Sequence, residues 1–269
     1  MNIYFIVAFL MTSLYFGRIS GDWIQVGSDI DGEFDGEKSG SSVSLSADGT
    51  VVAIGAPFYR GDAGEDLIGH VRLYRYADGN WIQIGSDING EDEDVFLLGW
   101  SVSLSTDGNI VAIGTPYYEM NFRAHVLVRI YRNVNDDWIQ IGSDIIGEGQ
   151  SRMSGYTVSI SLSGDGEVVA IGDPQNDEID CESGQVRIYR IIDDNWIQLG
   201  GDIYGEEAGD RFGYTVSISY DGNVVVVCAR ENLTVRAYRY VDNTWMQLVN
   251  NIRNDSYIVN VGSVSISGD

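Results

Sequence analysis

The chain has 269 residues, with 40 acidic against 16 basic side chains and a formal net charge of -24. A surface of that sign repels nucleic-acid phosphates and anionic lipid, which excludes nucleic acid as a partner and argues against stable membrane insertion once a leader is removed. Two cysteines, Cys181 and Cys228, are too few for a disulfide scaffold or a cysteine-only zinc site. The abundance of Gly, Val, Ile, Ser and Tyr is a strand-and-turn composition.

From the start of the chain, Ile3 to Phe16 is an apolar stretch too short to span a bilayer comfortably. Residues 1–21 are therefore expected to be a signal peptide, with cleavage after Gly21 and the product secreted or held at the cell surface. Two sequons, at Asn232 and Asn254, are candidate glycosylation sites on an exported glycoprotein.

Residues 22–269 repeat. Tryptophan recurs at Trp23, Trp81, Trp138, Trp196 and Trp245, each opening a version of Trp-Ile-Gln-x-Gly-Ser-Asp-Ile. Every interval holds four strand signals, A to D. In the first unit, A is Val43 to Ser46, alternating apolar and small polar with the strand period of two. Asp48-Gly49 turns the chain into B, Val51 to Ala56, whose unbroken apolar run predicts burial on both faces. Strand C is Val71 to Tyr76, and a second turn at Asp78-Gly79 leads to D at Trp81. Four-stranded antiparallel sheets with two apolar faces bury them by stacking on one another around an axis, so the expected fold is an all-β β-propeller. The blades are expected near 43–88, 102–145, 158–203 and 216–252, with stray strands at 23–30 and 264–267. Four complete blades with leftover strands suggest an incomplete propeller, a self-contained four-bladed ring being the alternative.

The run Gly40 to Gly49 followed by Val52-Ala53-Ile54-Gly55-Ala56-Pro57 resembles an FG-GAP repeat, the blade unit of integrin-α-type propellers. The match recurs at Gly99 to Pro116, at Gly155 to Pro174 and, without its closing residues, at Gly213 to Ala229. The resemblance implies propeller blades and, by analogy, adhesion. It also implies calcium loops between A and B. Here those turns carry one carboxylate each (Asp48, Asp107, Asp165, Asp221), and the expectation is a plain β-turn, with no cofactor.

The A–B and C–D turns are short, whereas the B–C and D–A connections are long and acidic, which places binding on their face. The candidate ligand-binding residues there are Glu33, Glu91, Glu148 and Glu206 from the Gly-Glu copies, with Asp62, Glu65, Tyr117 and Tyr118. The four Gly-Glu glutamates are the better cation candidates, calcium included, although a capping role for loop amides in each blade is preferred. The paired arginines of the C strands, such as Arg72, Arg129 and Arg236, are expected to be structural partners of Asp29, Asp87, Asp144 and Asp202. His70 and His125 are the only histidines and show no triad order or zinc spacing. The sequence thus leads to a non-catalytic binding or adhesion module for a protein or glycan. The alternatives are a carbohydrate-active enzyme using carboxylates of the loop face, and a structural surface protein.

Overall fold

The computed structural model describes residues 24–61, 67–90, 97–118, 124–147, 158–231, 234–248, 252–253 and 263–266. The leader and both sequon asparagines, Asn232 and Asn254, lie outside them. The described residues form four antiparallel sheets with no helix, as the repeat predicts. Blade I is β1 (Ser42–Leu45), β2 (Val51–Ala56), β3 (His70–Ala77) and β4 (Asn80–Gln83), with a short β5 (Ile88–Asn89) also on β3. Blade II is β6 (Ser101–Leu104), β7 (Ile110–Tyr118), β8 (Ala124–Val134), β9 (Asp137–Gln140) and β10 (Ile145–Ile146). Blade III is β11 (Ser159–Leu162), β12 (Val168–Asp173), β13 (Gln185–Ile192), β14 (Asn195–Gln198) and β15 (Ile203–Tyr204). Blade IV is β16 (Phe212–Ile218), β17 (Val224–Ala229), β18 (Thr234–Val241), β19 (Thr244–Gln247) and β20 (Ile252–Arg253).

Each blade uses the same local chemistry. The A–B turn closes on its own side chains: Ser46 Oγ donates to Asp48 Oδ1 at 2.7 Å, that oxygen accepts Thr50 N–H, and Ser46 Oγ accepts Val51 N–H. The serine and aspartate repeat this at Asp107, Asp165 and Asp221, so the carboxylates are occupied as turn residues. At the C–D turns two consecutive residues hold positive φ, Asp78 at 53° and Gly79 at 84° in blade I, the geometry that matches strand twist in a two-residue hairpin.

The outer strand departs from the expected single D. It pairs with C in two pieces, β4 then β5 in blade I, because a left-handed glycine bends it between them. Gln83 Nε2 spans the bend and donates to Asp87 Oδ1 at 2.6 Å; Gln140 does the same to Asp144 at 2.7 Å. The glycine makes room for the next blade's indole: a Cβ on Gly142 would stand 2.6 Å from Trp196 Cδ1. The indole N–H then donates to the carbonyl just before that glycine, Trp81 to Val26 at 3.0 Å, Trp138 to Ile84 at 3.0 Å, Trp196 to Ile141 at 2.9 Å and Trp245 to Leu199 at 2.7 Å. The whole repeated motif is thereby explained as a blade-to-blade joint.

Between the joints, apolar side chains interdigitate. Val51, Ala53, Val71 and Leu73 of blade I form one core with Val102, Leu104, Val111 and Ile113 of blade II, and corresponding cores join the later pairs. The B strands are buried at every residue in blades I and III, as their sequence predicts. The polar residues of the A strands do not face solvent. Their hydroxyls reach the next blade's A strand, Ser44 Oγ accepting Leu104 N–H at 2.9 Å and Ser103 Oγ accepting Leu162 N–H at 3.0 Å. Residues 24–30 and 263–266 lie against blades I and IV without joining a ladder, and Ile266 N–H donates to Ser217 Oγ. Cys181 is exposed and Cys228 is buried, and the two are not joined by a disulfide.

Trp196→Phe keeps most of the ring but leaves the Ile141 carbonyl without its donor, which costs about 1–3 kcal/mol; the urea midpoint should fall by that equivalent, and an unchanged midpoint would dismiss the joint. The turn carboxylates titrate in a defined direction. The hydrogen bond from Ser219 is the largest influence on Asp221 and holds its carboxyl below the ordinary aspartate value. The folded chain therefore binds fewer protons there than the unfolded chain. The stability so contributed is complete above the unfolded value and disappears as pH falls through the lower folded one. Asp221→Asn should flatten the decline of the urea midpoint between about pH 5 and 3.

Candidate functional site

The long D–A and B–C connections of blade I meet on one face, tied by the Phe58 N–H donating to the Glu37 carbonyl at 3.1 Å. The buried Glu37 carboxylate organises the D–A loop. It accepts the amides of Glu33 at 2.9 Å and Phe34 at 3.3 Å. Blade IV repeats the device with Asp210, which accepts the amides of Glu206 and Glu207 at 3.0 and 3.1 Å. The amide cap is thus the residue four positions after the Gly-Glu glutamate, not that glutamate itself. Glu33 and Glu206 are left with free reach, and each meets a buried arginine of strand C. Arg72 lies 3.4 Å from Glu33 and 3.7 Å from Glu37, and Arg236 lies 2.9 Å from Glu206 and 3.9 Å from Asp210. Of the expected arginine–aspartate pairs, Arg129 with Asp144 forms at 3.0 Å. Arg72 and Arg236 turn instead to the loop carboxylates.

That turn leaves Asp87 in a different environment from its counterparts. Asp144 is held by Arg129, and Asp202 accepts Gln185 and the Tyr204 hydroxyl, both at 2.8 Å. Asp87 Oδ2 faces His70 Nδ1 at 3.5 Å, beyond a hydrogen bond, and His70 Nε2 stands 4.0 Å from Glu37. His70 is fully buried, lies under the Tyr59 ring at 4.2 Å between centroids, and neither ring nitrogen has a hydrogen-bond partner. The pairing register equates His70 with Leu127, Gln185 and Thr234 of the other blades. Burial is the largest influence on the imidazole and, with Arg72 adding to it, holds its pKa below the ordinary 6.5; Asp87 and Glu37 pull the other way. Glu33, His70 and Asp87 place ligand-capable atoms all within 4.8 Å of one another, the one such trio among the described residues.

The other candidates fall elsewhere. Glu91, Glu148, Asp62 and Glu65 lie outside the described residues. Tyr117 and Tyr118 belong to the backbone of β7. Of the candidates named from the sequence, Glu33 alone belongs to the trio. His70 and Asp87 were not singled out. The signal for His70 was present in the repeat, as the one titratable residue at a position that is otherwise Leu, Gln or Thr.

No protein-family model matches the chain, and no curated protein matches it by sequence. Solved structures do. The periplasmic gluconolactonase of Pseudomonas aeruginosa superposes with a TM-score of 0.54 at 16% identity, covering 82% of this chain and 59% of its own. A Bacteroides uniformis protein assigned as a 6-phosphogluconolactonase gives 0.53 at 14%, covering 81% and 57%. The hydrazine synthase of Kuenenia stuttgartiensis gives 0.54 at 12%, covering 84% and 65%. The chain therefore spans less than two thirds of the length of these proteins. The class these matches and the four blades define is the β-propeller. At such identities the likeness carries the fold. The neighbours also correct the expectation of a non-catalytic adhesion module, since lactonases stand among the propellers that this chain resembles in fold.

Asp87→Asn removes the leading charge that supports protonation of His70. A proton NMR titration of the ring should show its pKa falling further below 6.5 than in the parent chain; a rise would contradict the arrangement of charges described.

Proposed function

We propose that the chain is a hydrolase of sugar lactones acting at the loop face of blade I. The observation that carries this reading is the gathering of Glu33, Glu37 and Asp87 around a buried, unpaired imidazole, which occurs in one blade among the described residues. The gluconolactonase among the structural neighbours supports the substrate class. The net charge of -24 favours a neutral lactone over a phosphorylated one. Water held by the Glu33 and Asp87 carboxylates attacks the lactone carbonyl carbon, and one carboxylate takes its proton. The ring carbon–oxygen bond then breaks, the departing oxygen receives that proton, and the product is an open-chain hydroxy acid. Gln83, which donates to Asp87 Oδ1 at 2.6 Å, is the positioning residue for that carboxylate. Within the propeller class, the blades are related to FG-GAP-like repeats by their A and B strands, a kinship of scaffold alone. Export is supported by the apolar stretch at residues 3–16.

The test is pH-stat hydrolysis of glucono-δ-lactone and its 6-phosphate. Turnover above the uncatalysed rate is expected for the neutral lactone. Glu33→Gln and Asp87→Asn should each lose about 100-fold or more, and Glu206→Gln in blade IV should match the parent. Absence of turnover, or parent-like Glu33→Gln and Asp87→Asn variants, would discard the reading.

A further inference from the structure

We infer that Glu33, His70 and Asp87 form a binding site for one zinc-class divalent cation. The inference shares its place with the proposed hydrolysis but does not need the reaction.

The first ground is the imidazole. A buried ring nitrogen without a partner loses the water it would bind when unfolded and gains nothing in exchange. His70 has two such nitrogens and no exposed surface. Its neighbours are carboxylates that stand 3.5 and 4.0 Å from the two nitrogens, too far to bond them, and a metal ion between ring and carboxylate would give both a partner.

The second ground is charge. Three carboxylates, Glu33, Glu37 and Asp87, surround the imidazole and one guanidinium, Arg72. Glu37 is committed to the loop amides, so Glu33 and Asp87 are the oxygens with capacity to spare. In blades II and III the aspartate equivalent to Asp87 is saturated by Arg129, or by Gln185 and Tyr204. Blade I breaks that pattern in a single direction: a donor partner is replaced by a lone-pair partner, and the arginine is withdrawn.

The third ground is geometry. Two ligands each about 2.1 Å from a tetrahedral ion stand roughly 3.4 Å apart, and His70 Nδ1 and Asp87 Oδ2 are 3.5 Å apart. Glu33 is the partly exposed member, with a side chain 41% accessible, and supplies both the third ligand and the entry path. One imidazole nitrogen with two carboxylates suits zinc. Calcium takes six to eight oxygens, and a trio of this composition does not offer them.

The experiment uses the full chain free of any histidine tag and stripped with a chelator, titrated calorimetrically with zinc chloride and, separately, calcium chloride, while the His70 ring protons are followed by NMR. One zinc per chain is expected, with the His70 resonances displaced. Glu33→Gln and Asp87→Asn, which keep side-chain volume, should weaken binding at least tenfold. Glu206→Gln should leave it unchanged. Circular dichroism on each variant separates lost binding from lost folding. No zinc binding, unaltered affinity in both Glu33→Gln and Asp87→Asn, unmoved His70 resonances, or tighter binding of calcium would overturn the site. Zinc binding without lactone turnover would sustain the site and reject the hydrolysis; turnover by the zinc-free chain with no zinc uptake would do the reverse.

Discussion

An indole N–H donated to a main-chain carbonyl of the preceding blade, with the ring laid against a left-handed glycine, joins blades II, III and IV to their neighbours, and Trp81 of blade I makes the same bond to Val26 of the segment before it. The joint demands several residues at once. The outer strand must bend, so glycine sits where a Cβ would strike the ring. The bend interrupts strand pairing, so a glutamine reaches across it to an aspartate. Pairing then resumes at an isoleucine, Ile88, Ile145 or Ile203, whose side chain enters the core. Trp-Ile-Gln-x-Gly-Ser-Asp-Ile is thus one mechanical part, and its recurrence reflects the need to make the same seam repeatedly.

The aspartate of that part also links scaffold to site. Its second carboxylate oxygen points at the start of strand C, where the next residue chosen decides what the blade can do there. Arg129 fills the role in blade II and Gln185 in blade III. In blade I the arginine is drawn off by Glu33 and Glu37, and His70 faces the aspartate instead. A chemically distinct centre arises from one substitution and one rearranged ion pair on an otherwise unaltered frame. This is how function is grafted onto a repeated fold without rebuilding it.

The architecture was legible because period and turn chemistry act locally. Val51 to Ala56 announces a strand buried on both faces, and Asp78-Gly79 announces a tight hairpin. The alternation of Val43-Ser44-Leu45-Ser46 announces a strand but not what its serines meet, since alternation cannot distinguish water from a hydroxyl-bonded neighbour. The site was less legible. Glu33 stood out by repetition, which is a signature of scaffold more than of chemistry. Glu37 and Asp210 hold equivalent places with different side chains, so simple matching of letters passes over them. His70 required strands to be aligned by register before its oddity among Leu127, Gln185 and Thr234 became visible. The adhesion reading followed from resemblance of the blade text, and blade text records how sheets stack.

The hydroxyl rungs between A strands and the indole seams further out fasten each blade at two radii, near the axis and at the rim. Two fastenings at different radii resist hinging, where one would permit it. An array built from nearest-neighbour contacts behaves as a row of coupled units whose cooperativity is only as strong as its weakest boundary. Severing a single seam would therefore let the blades on either side melt at separate temperatures, while each sheet kept its own internal order.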